Sequence, residues 1–300
     1  MPELPDVELY LHALRPRVID RVLVGIRVRG PSVLRTWDPP LESVHGKRIL
    51  ALRRLGKRIV WQLEDDLFLV LHLMIAGRLQ WREAKALLPG KIGLAAFDLE
   101  DATLILTEAS SHKRAALYVV RGEAGLADHD PGGREPLECT RDEFVAALTR
   151  EGHTLKRALT DPRFLSGIGN AYSDEILHRA GLSPFAHTGK VSSGDWTRLF
   201  EATRAVLVEW IDRLREQAGS GWPRKVTAFR PEMAVHGRYR EPCPVCASPV
   251  QRIRYKNNET NYCPGCQTGG RILADRSLSR LLREDWPRTL EELEERFGPR

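Results

Sequence analysis

The sequence predicts an α+β protein in which an N-terminal helix and a β-sandwich precede a helical half that ends in a cysteine-bearing hairpin. Three observations predict this class. Apolar and polar residues alternate in the first part of the chain, which is typical of half-buried strands. From about residue 140 the apolar spacing becomes helical. Near the C-terminus, four cysteines occur as two Cys-x-x-Cys pairs.

Length and charge favour an intracellular protein with a polyanionic partner. The chain has 300 residues, 42% of them hydrophobic, and such a length is more often divided between two domains than folded as one. Charges at positions 3, 6 and 8 argue against a secretory signal peptide. The sequence has no run of 18 apolar residues, so we expect no membrane span. The net charge of +6 favours a polyanionic partner.

The first predicted element is a helix over residues 5–14. Pro5 suits the first turn of a helix, and acidic residues follow it where negative charge favours the helix dipole. Apolar residues recur at helical spacing, namely Val7, Tyr10, Leu11 and Leu14. This pattern does not account for Pro2 and Glu3, which precede the helix.

Residues 20–125 are predicted to form a meander of strands. In the segment KRIVWQLEDDLFLVLHL, alternation leads to a turn at Asp65-Asp66, and a second β-rich run follows. The arrangement recurs around Glu100-Asp101. Because such a sheet must bury one face, we expect a β-sandwich or a flattened barrel.

The second half of the chain follows the glycine- and proline-rich stretch RGEAGLADHDPGGREPLECT, which begins at Arg121 and which we interpret as a linker ending near Thr140. The clearest helical pattern covers residues 195–217, and residues 219–235 are expected to form a loop. A last helix is predicted to begin at Thr289, because Thr289-x-x-Glu292 fits a capping box.

The two cysteine pairs predict a structural zinc site. Four thiolates at this spacing can surround Zn²⁺ tetrahedrally at the ends of a β-hairpin, and they leave no position open for water. The predicted ligands are Cys243, Cys246, Cys263 and Cys266. Redox-active thiols are the alternative, although a single pair would suffice for them. The basic residues of the hairpin, Arg252, Arg254 and Lys256, are either solvated or in contact with phosphates.

Two further features have more than one interpretation. The turn Gly167-Ile168-Gly169-Asn170 either binds a phosphate at a helix start or forms an ordinary corner between helices. Removal of Met1 would give Pro2 a free secondary amine, and because α-amino groups titrate at about 8, part of it would be nucleophilic at neutral pH. Attack on a sugar C1′ would release a base and leave an iminium ion, from which elimination can cut the strand. Glu3 could transfer the protons.

The opening PELPDVE, the segment GIGNAYSDEILHRAG and the cysteine ribbon together resemble the formamidopyrimidine-DNA glycosylase/endonuclease VIII family. The resemblance runs from Pro2 to about Gln267. It implies two lobes, with a helix–two-turns–helix motif and a four-cysteine zinc finger in the second, and DNA between them with the damaged nucleotide flipped out. The predicted domains are a catalytic β-sandwich (1–135), a helical DNA-binding domain (140–235), the zinc finger (236–272) and a C-terminal helical extension (273–300).

The resemblance also implies roles for individual residues. Pro2 would be the Schiff-base nucleophile, Glu3 the acid/base, and Lys57 a lysine that binds phosphate and assists elimination. His72, Asn170 and Arg238 would contact the DNA backbone. Lys57 could instead be a solvated strand end, and His72 a core histidine.

The match fails at three places. Asn258 stands where the family finger carries a phosphate-clamping arginine, and the nearby Lys256 lacks the bidentate fork of a guanidinium. Position 6 is Asp where Glu is usual. The family fills the gap left by the flipped base with a methionine in HLGMSG and with an Arg-Arg-Phe group. HLMIAG here offers Met74 or Ile75, and Lys113 and Arg114 are followed by Ala115, so the aromatic wedge is missing.

The motifs and the family resemblance that they carry together predict a bifunctional DNA glycosylase with abasic-site lyase activity, acting in base excision repair on an oxidised or ring-opened base. We expect a monomer that binds damaged double-stranded DNA through His72, Lys113, Asn170, Arg238 and Lys256. One structural Zn²⁺ is the cofactor, and the expected location is the cytoplasm, at the nucleoid. The alternative is a DNA-binding scaffold without catalysis, which the altered finger favours and the retained Pro2 and Glu3 disfavour.

Overall fold

A computed structural model describes residues 1–30, 32–223, 225–227, 229–255, 258–274 and 287–297. It divides into two compact units, of which the first comprises Met1–Gly132 and Glu209–Ala228, and the second Gly133–Val208 and Phe229–Arg300. The predicted mixed helix-and-sheet class is confirmed. The four predicted domains stay a prediction, since contact units do not test them.

Helix α1 (Leu4–Val18) opens the first unit and extends four residues beyond the predicted end at position 14. The Asp6 carboxylate accepts a hydrogen bond from the Glu3 backbone N–H at 3.0 Å, so that acidic residues satisfy the first turn as expected. Pro16 lies inside the last turn, where a missing N–H interrupts few hydrogen bonds of the helix.

Two antiparallel sheets form the predicted β-sandwich. The strands are β1 (Val22–Leu23), β2 (Gly25–Val28), β3 (Lys47–Leu55), β4 (Arg58–Leu63), β5 (Leu67–His72), β6 (Gly77–Glu83), β7 (Gly93–Asp98), β8 (Ala102–Glu108) and β9 (Ala116–Arg121). The strand order is β1-β3-β4-β5-β9 in one sheet and β2-β7-β8-β6 in the other. Trp61 of one sheet packs on Phe97 of the other with ring centroids 5.6 Å apart, so the two sheets share one core.

Helix α2 (Gly122–Ala127) lies within the segment predicted to be a linker, and the prediction was wrong for these residues. Its Leu126 packs with Val60, Phe68 and Val70 on the face of the five-stranded sheet that points away from the sandwich core. The helix therefore covers apolar sheet surface that would otherwise meet water.

The described residues after Gly133 form helices, one β-hairpin and the loops between them. Helix α6 (Ser193–Ala218) confirms the helix predicted over 195–217. Ahead of the last helix, the Thr289 hydroxyl accepts from the Glu292 backbone N–H at 3.2 Å, as the capping box predicts. The elements are α3 (Arg141–Thr149), α4 (Leu155–Thr160), α5 (Asn170–Ala180), α6 (Ser193–Ala218), β10 (Gln251–Tyr255), β11 (Asn258–Tyr262), α7 (Pro264–Thr268) and α8 (Leu290–Phe297). None of the described helices combines the length and apolar character that spanning a bilayer requires.

Candidate functional site

The start of the chain lies in a buried, charged environment. Pro2 is buried, and Glu3 is only 3% exposed although it is ionisable. Burial lowers the pKa of the Met1 amine; the Glu3 carboxylate raises it, and Arg78 and Lys57 lower it. The net direction is downward, so an amine at this place is unprotonated at a lower pH than in solvent. The first unit thus brings the chain start, Glu3 and Lys57 together.

Asp6 fixes the peptide that joins Pro2 to Glu3. The Glu3 N–H that donates to the Asp6 carboxylate belongs to this peptide, and the Asp6 side chain is fully buried. A side chain one methylene shorter than glutamate therefore still reaches its partner. Behind it, Arg54 of β3 donates to the Glu8 carboxylate at 3.2 Å, which connects α1 to the sheet.

Lys57 occupies the two-residue loop between β3 and β4, in which Gly56 has a φ of +59° that a tight hairpin turn requires. His72 ends β5 directly opposite Arg58. Burial lowers the pKa of His72 to about 4, with further lowering by Arg58 and Lys57. The imidazole is therefore neutral at pH 7 and half-buried, in a position where one ring N–H can still act as a donor.

Glu108 stabilises the loop between β8 and β9, which corresponds to the place of the Arg-Arg-Phe group in the family. Its carboxylate accepts from the backbone N–H groups of Arg114 at 2.8 Å and Ala115 at 3.0 Å, and its carbonyl accepts from the Lys113 ammonium. Ala115 is 1% exposed, so no side chain at that position reaches out. Sequence reasoning missed Glu108; a carboxylate ending an otherwise largely apolar strand was the available signal.

The loop after His72 distinguishes the two residues that could fill the gap of a flipped base. Met74 has a φ of +51°, in the left-handed region, and it stands at the glycine of HLGMSG. Ile75 stands at the methionine of that motif and is 56% exposed. A Cβ at Gly77 would lie 2.3 Å from the Leu73 carbonyl oxygen, so the tight turn requires that glycine. Ile75 is therefore the better candidate.

Asn170 is the first residue of α5, directly after the Gly169 cap. Asn170 is half-buried, and its backbone carbonyl accepts a hydrogen bond from the Lys156 ammonium at 2.6 Å. Helices α4 and α5 with the tight turn between them place this asparagine at a helix N-terminus, where backbone N–H groups and the helix dipole favour an anion.

The segment ahead of the finger is held by Arg238. Its Nε donates to the Glu241 carboxylate at 2.7 Å and its guanidinium donates to the Met233 carbonyl at 3.2 Å. The predicted DNA contact by Arg238 therefore comes from a residue that is already half-buried in its own loop.

The finger hairpin presents cations around one aromatic ring. The Arg252 guanidinium lies 4.3 Å and that of Arg240 5.0 Å from the centroid of Tyr239. Asn258 is exposed on β11, and Lys256 lies outside the described residues. Of the basic residues predicted on this hairpin, Arg252 and Arg254 lie on β10, opposite Asn261 and Glu259.

The cysteines gather as the spacing predicts, together with a histidine that the sequence did not single out. The Sγ atoms of Cys246 and Cys263 are 3.3 Å apart and those of Cys243 and Cys266 are 3.8 Å apart. His178 Nε2 lies 3.2 Å from Cys243 Sγ, and potential ligand atoms of His178, Cys243, Cys263 and Cys266 all lie within 4.8 Å of one another. Thiolates that share one tetrahedral Zn²⁺ at about 2.3 Å lie about 3.8 Å apart. The cluster can therefore hold a metal ion.

Sequence comparison matches both units to known domains. Residues 1–117 match the formamidopyrimidine-DNA glycosylase N-terminal domain, and residues 133–219 match the H2TH domain of the same glycosylase. An uncharacterized formamidopyrimidine-DNA glycosylase-like protein of Mycobacterium tuberculosis is 42% identical over 151 residues, which cover 50% of this chain and 94% of that protein. The formamidopyrimidine-DNA glycosylase of Thermus thermophilus is 34% identical over 280 residues, 90% of this chain and 100% of that protein.

Structure comparison agrees. Lactococcus lactis Fpg in complex with DNA containing an abasic site superposes with a TM-score of 0.77 at 23% identity, over 89% of this chain and 99% of that one, and this likeness shows the fold. The formamidopyrimidine-DNA glycosylase of Solibacter usitatus is 32% identical over 278 residues, which cover 89% of this chain and 99% of that enzyme. The chain therefore belongs to the formamidopyrimidine-DNA glycosylase family of DNA repair enzymes.

Proposed function

We propose that this protein is a DNA glycosylase that removes an oxidised or ring-opened base and cuts the strand at the resulting abasic site. The observation that carries the proposal is the geometry of the chain start, where Pro2 and Glu3 are both buried and Asp6 fixes the peptide between them. Removal of Met1 would leave the Pro2 amine next to this buried carboxylate. Binding DNA needs no amine of this kind, whereas Schiff-base chemistry does.

The proposed reaction starts after Met1 has been removed. The Pro2 nitrogen attacks C1′ of the damaged nucleotide, the bond from C1′ to the base breaks, and the base leaves with the electron pair and a proton that Glu3 supplies or relays. The Pro2 nitrogen gives up its proton, and the bond from C1′ to the ring oxygen O4′ breaks while O4′ takes a proton that Glu3 supplies. An iminium ion between Pro2 and C1′ remains, and this cation makes the C2′ proton acidic. Loss of that proton breaks the C3′–O bond, with the 3′ phosphate as the leaving group and Lys57 as its cationic neighbour.

The proposed DNA contacts lie in both units. In the first unit, Lys57 and neutral His72 contact phosphates, and Ile75 fills the gap left by the flipped nucleotide. In the second unit, Asn170 at the start of α5 binds a phosphate, and Arg238 and the finger arginines supply positive charge. Lys113 and Lys256 remain predicted contacts, although the Lys113 ammonium already donates to Glu108.

We further propose that the cysteine cluster holds one structural Zn²⁺ through Cys243, Cys246, Cys263 and Cys266. His178 then donates from Nε2 to the Cys243 thiolate, a contact that orients a ligand without replacing one. Four thiolates leave no open position, so zinc shapes the finger and has no part in the bond-breaking steps.

Borohydride trapping tests the proposed function. Protein whose Met1 removal has been confirmed by mass is mixed with a duplex that carries one abasic site, in the presence of sodium borohydride. We expect a covalent adduct that peptide mapping assigns to the Pro2 nitrogen. A zinc-loaded protein that binds the duplex and gives no adduct would contradict the lyase proposal and support a DNA-binding scaffold.

Lys57 and His72 should differ in how they respond to salt. Each phosphate contact by a lysine releases counterions, so Lys57→Met should reduce the slope of log K against log salt by about 1. His72→Asn should weaken binding but leave the slope unchanged at pH 7, because the low pKa of His72 keeps the imidazole neutral. The measurement is fluorescence anisotropy with a duplex that contains a tetrahydrofuran abasic-site analogue. A slope that changes with His72→Asn would show that the bound imidazole is charged.

A further inference from the structure

A buried network of charged and polar side chains connects α4, α5, the segment before the finger and β11. Its centre is Asp174, which is 1% exposed and whose Oδ1 accepts from the Lys156 ammonium at 2.6 Å. Its Oδ2 lies 2.8 Å from His236 Nδ1, and it accepts from the backbone N–H and the side-chain Nδ2 of Asn261 at 3.1 and 3.2 Å. One carboxylate thus joins elements as much as 87 residues apart.

Lys156 extends this network to the start of α5. Its ammonium donates to the Asn170 carbonyl at 2.6 Å as well as to Asp174, one helical turn further along. The lysine therefore spans the first turn of α5 and binds the backbone of the residue that we propose contacts DNA phosphate. Continuous contacts run from Asn261 in the finger hairpin, through Asp174 and Lys156, to Asn170.

A contribution to stability alone does not account for the buried ion pair between Asp174 and Lys156. Removing both charges from water costs several kcal/mol, and a buried ion pair can often be replaced by apolar residues without loss of stability. The backbone at Ala234 and Val235 is held independently of Asp174, because the neighbouring Glu175 carboxylate accepts from their N–H groups at 2.7 and 3.0 Å. Asp174 is therefore available for orienting its partners.

We propose that Asp174 is a positioning residue that couples the finger hairpin to the phosphate contact of Asn170. Asp174 holds the Lys156 ammonium against the Asn170 carbonyl and so fixes the start of α5. Because Asn261 donates to the Asp174 carboxylate, the orientation of Asp174 depends in turn on the folded hairpin. The inference rests on the proposed DNA binding by Asn170. Without Asp174, the lysine would lose its anchor and the start of α5 its support.

A double-mutant cycle separates positioning from general stability. Asp174→Asn keeps the shape but places an amide nitrogen near groups that themselves donate. We expect its affinity for a duplex with a tetrahydrofuran abasic-site analogue to fall about tenfold in the native background. In the Asn170→Ala background the same change should cost less than about twofold, because the contact that it positions is already gone. A merely structural role would give equal losses in both backgrounds and would overturn the inference.

Two further variants keep the test decisive. Asp161→Asn, the matched control, removes another half-buried carboxylate of the same unit, which pairs with Arg163 at 2.7 Å, and it should leave affinity unchanged. Lys156→Met breaks the network from its other side and should show the same dependence on Asn170 if Asp174→Asn folds poorly; additive losses there would also overturn the inference. If the native chain fails to bind the duplex, the proposed function fails; if it binds and only the cycle is additive, the coupling alone fails.

Discussion

An extension that cannot be cleaved from the N-terminus should lower borohydride trapping at an abasic site by a factor on the order of 10³ or more. In the extended chain, the Pro2 nitrogen is part of an amide, whose lone pair is delocalised and cannot attack C1′. The measurement is the yield of adduct per bound duplex, compared between the extended chain and a chain with Pro2 as its first residue. DNA affinity should change far less than adduct yield.

The matched control carries the same extension at the C-terminus and should trap as well as the unmodified chain. In the chain that starts at Pro2, Glu3→Gln should slow base release more than it slows trapping at a preformed abasic site, because the preformed site needs no departing base. An undiminished adduct in the extended chain, mapped to Lys57, would move the nucleophile away from the terminus.

Replacing one cysteine of the cluster should have the largest effect on the second unit. Cys263 is fully buried, and its Sγ lies 3.3 Å from that of Cys246, so Cys263→Ser should remove the metal and unfold the finger hairpin. Structural zinc sites contribute apparent binding free energies of about 10–16 kcal/mol, which a module of this size cannot replace. Metal analysis and limited proteolysis over residues 236–272 check the result, and DNA affinity should fall at least about tenfold.

Two variants calibrate that result. Cys139→Ser changes a buried thiol outside the cluster and should leave the metal content unchanged. His178→Phe removes only the contact to Cys243 and should retain the metal with about 10- to 100-fold weaker affinity in chelator competition. Full metal content in Cys263→Ser would contradict the four-cysteine assignment.

Local patterns predicted the elements that depend on local physics. The apolar spacing over 195–217 indicated α6, and the turn signal at Asp65-Asp66 marks the junction of β4 and β5. Helix α2 escaped prediction because its six residues, GEAGLA, include two glycines, and packing of Leu126 on the sheet stabilises it. A contact that depends on tertiary structure has no local signal.

The candidate site divides in the same way. The cysteine spacing and the resemblance at Pro2 gave the residues, but backbone dihedral angles were needed to choose Ile75 over Met74. His178 and Asp174 were missed because their partners are distant in sequence, 65 residues for His178 and up to 87 for Asp174. Glu108 was missed although its partners lie only five to seven residues further along the chain, because a loop contact of this kind has no periodic pattern. Of the predicted extension, residues 275–286 and 298–300 lie outside the described residues.

The buried carboxylate of Asp174 limits how the finger can be exchanged between relatives. A chimera that imports a hairpin without asparagine at position 261 would remove a side-chain donor from the Asp174 carboxylate and so disturb its contacts with Lys156 and His236. Grafts of the cysteine ribbon alone should therefore load zinc and still bind DNA poorly. Transplanting positions 156, 174, 236 and 261 as a set would keep the side chains of this network together in the exchanged module.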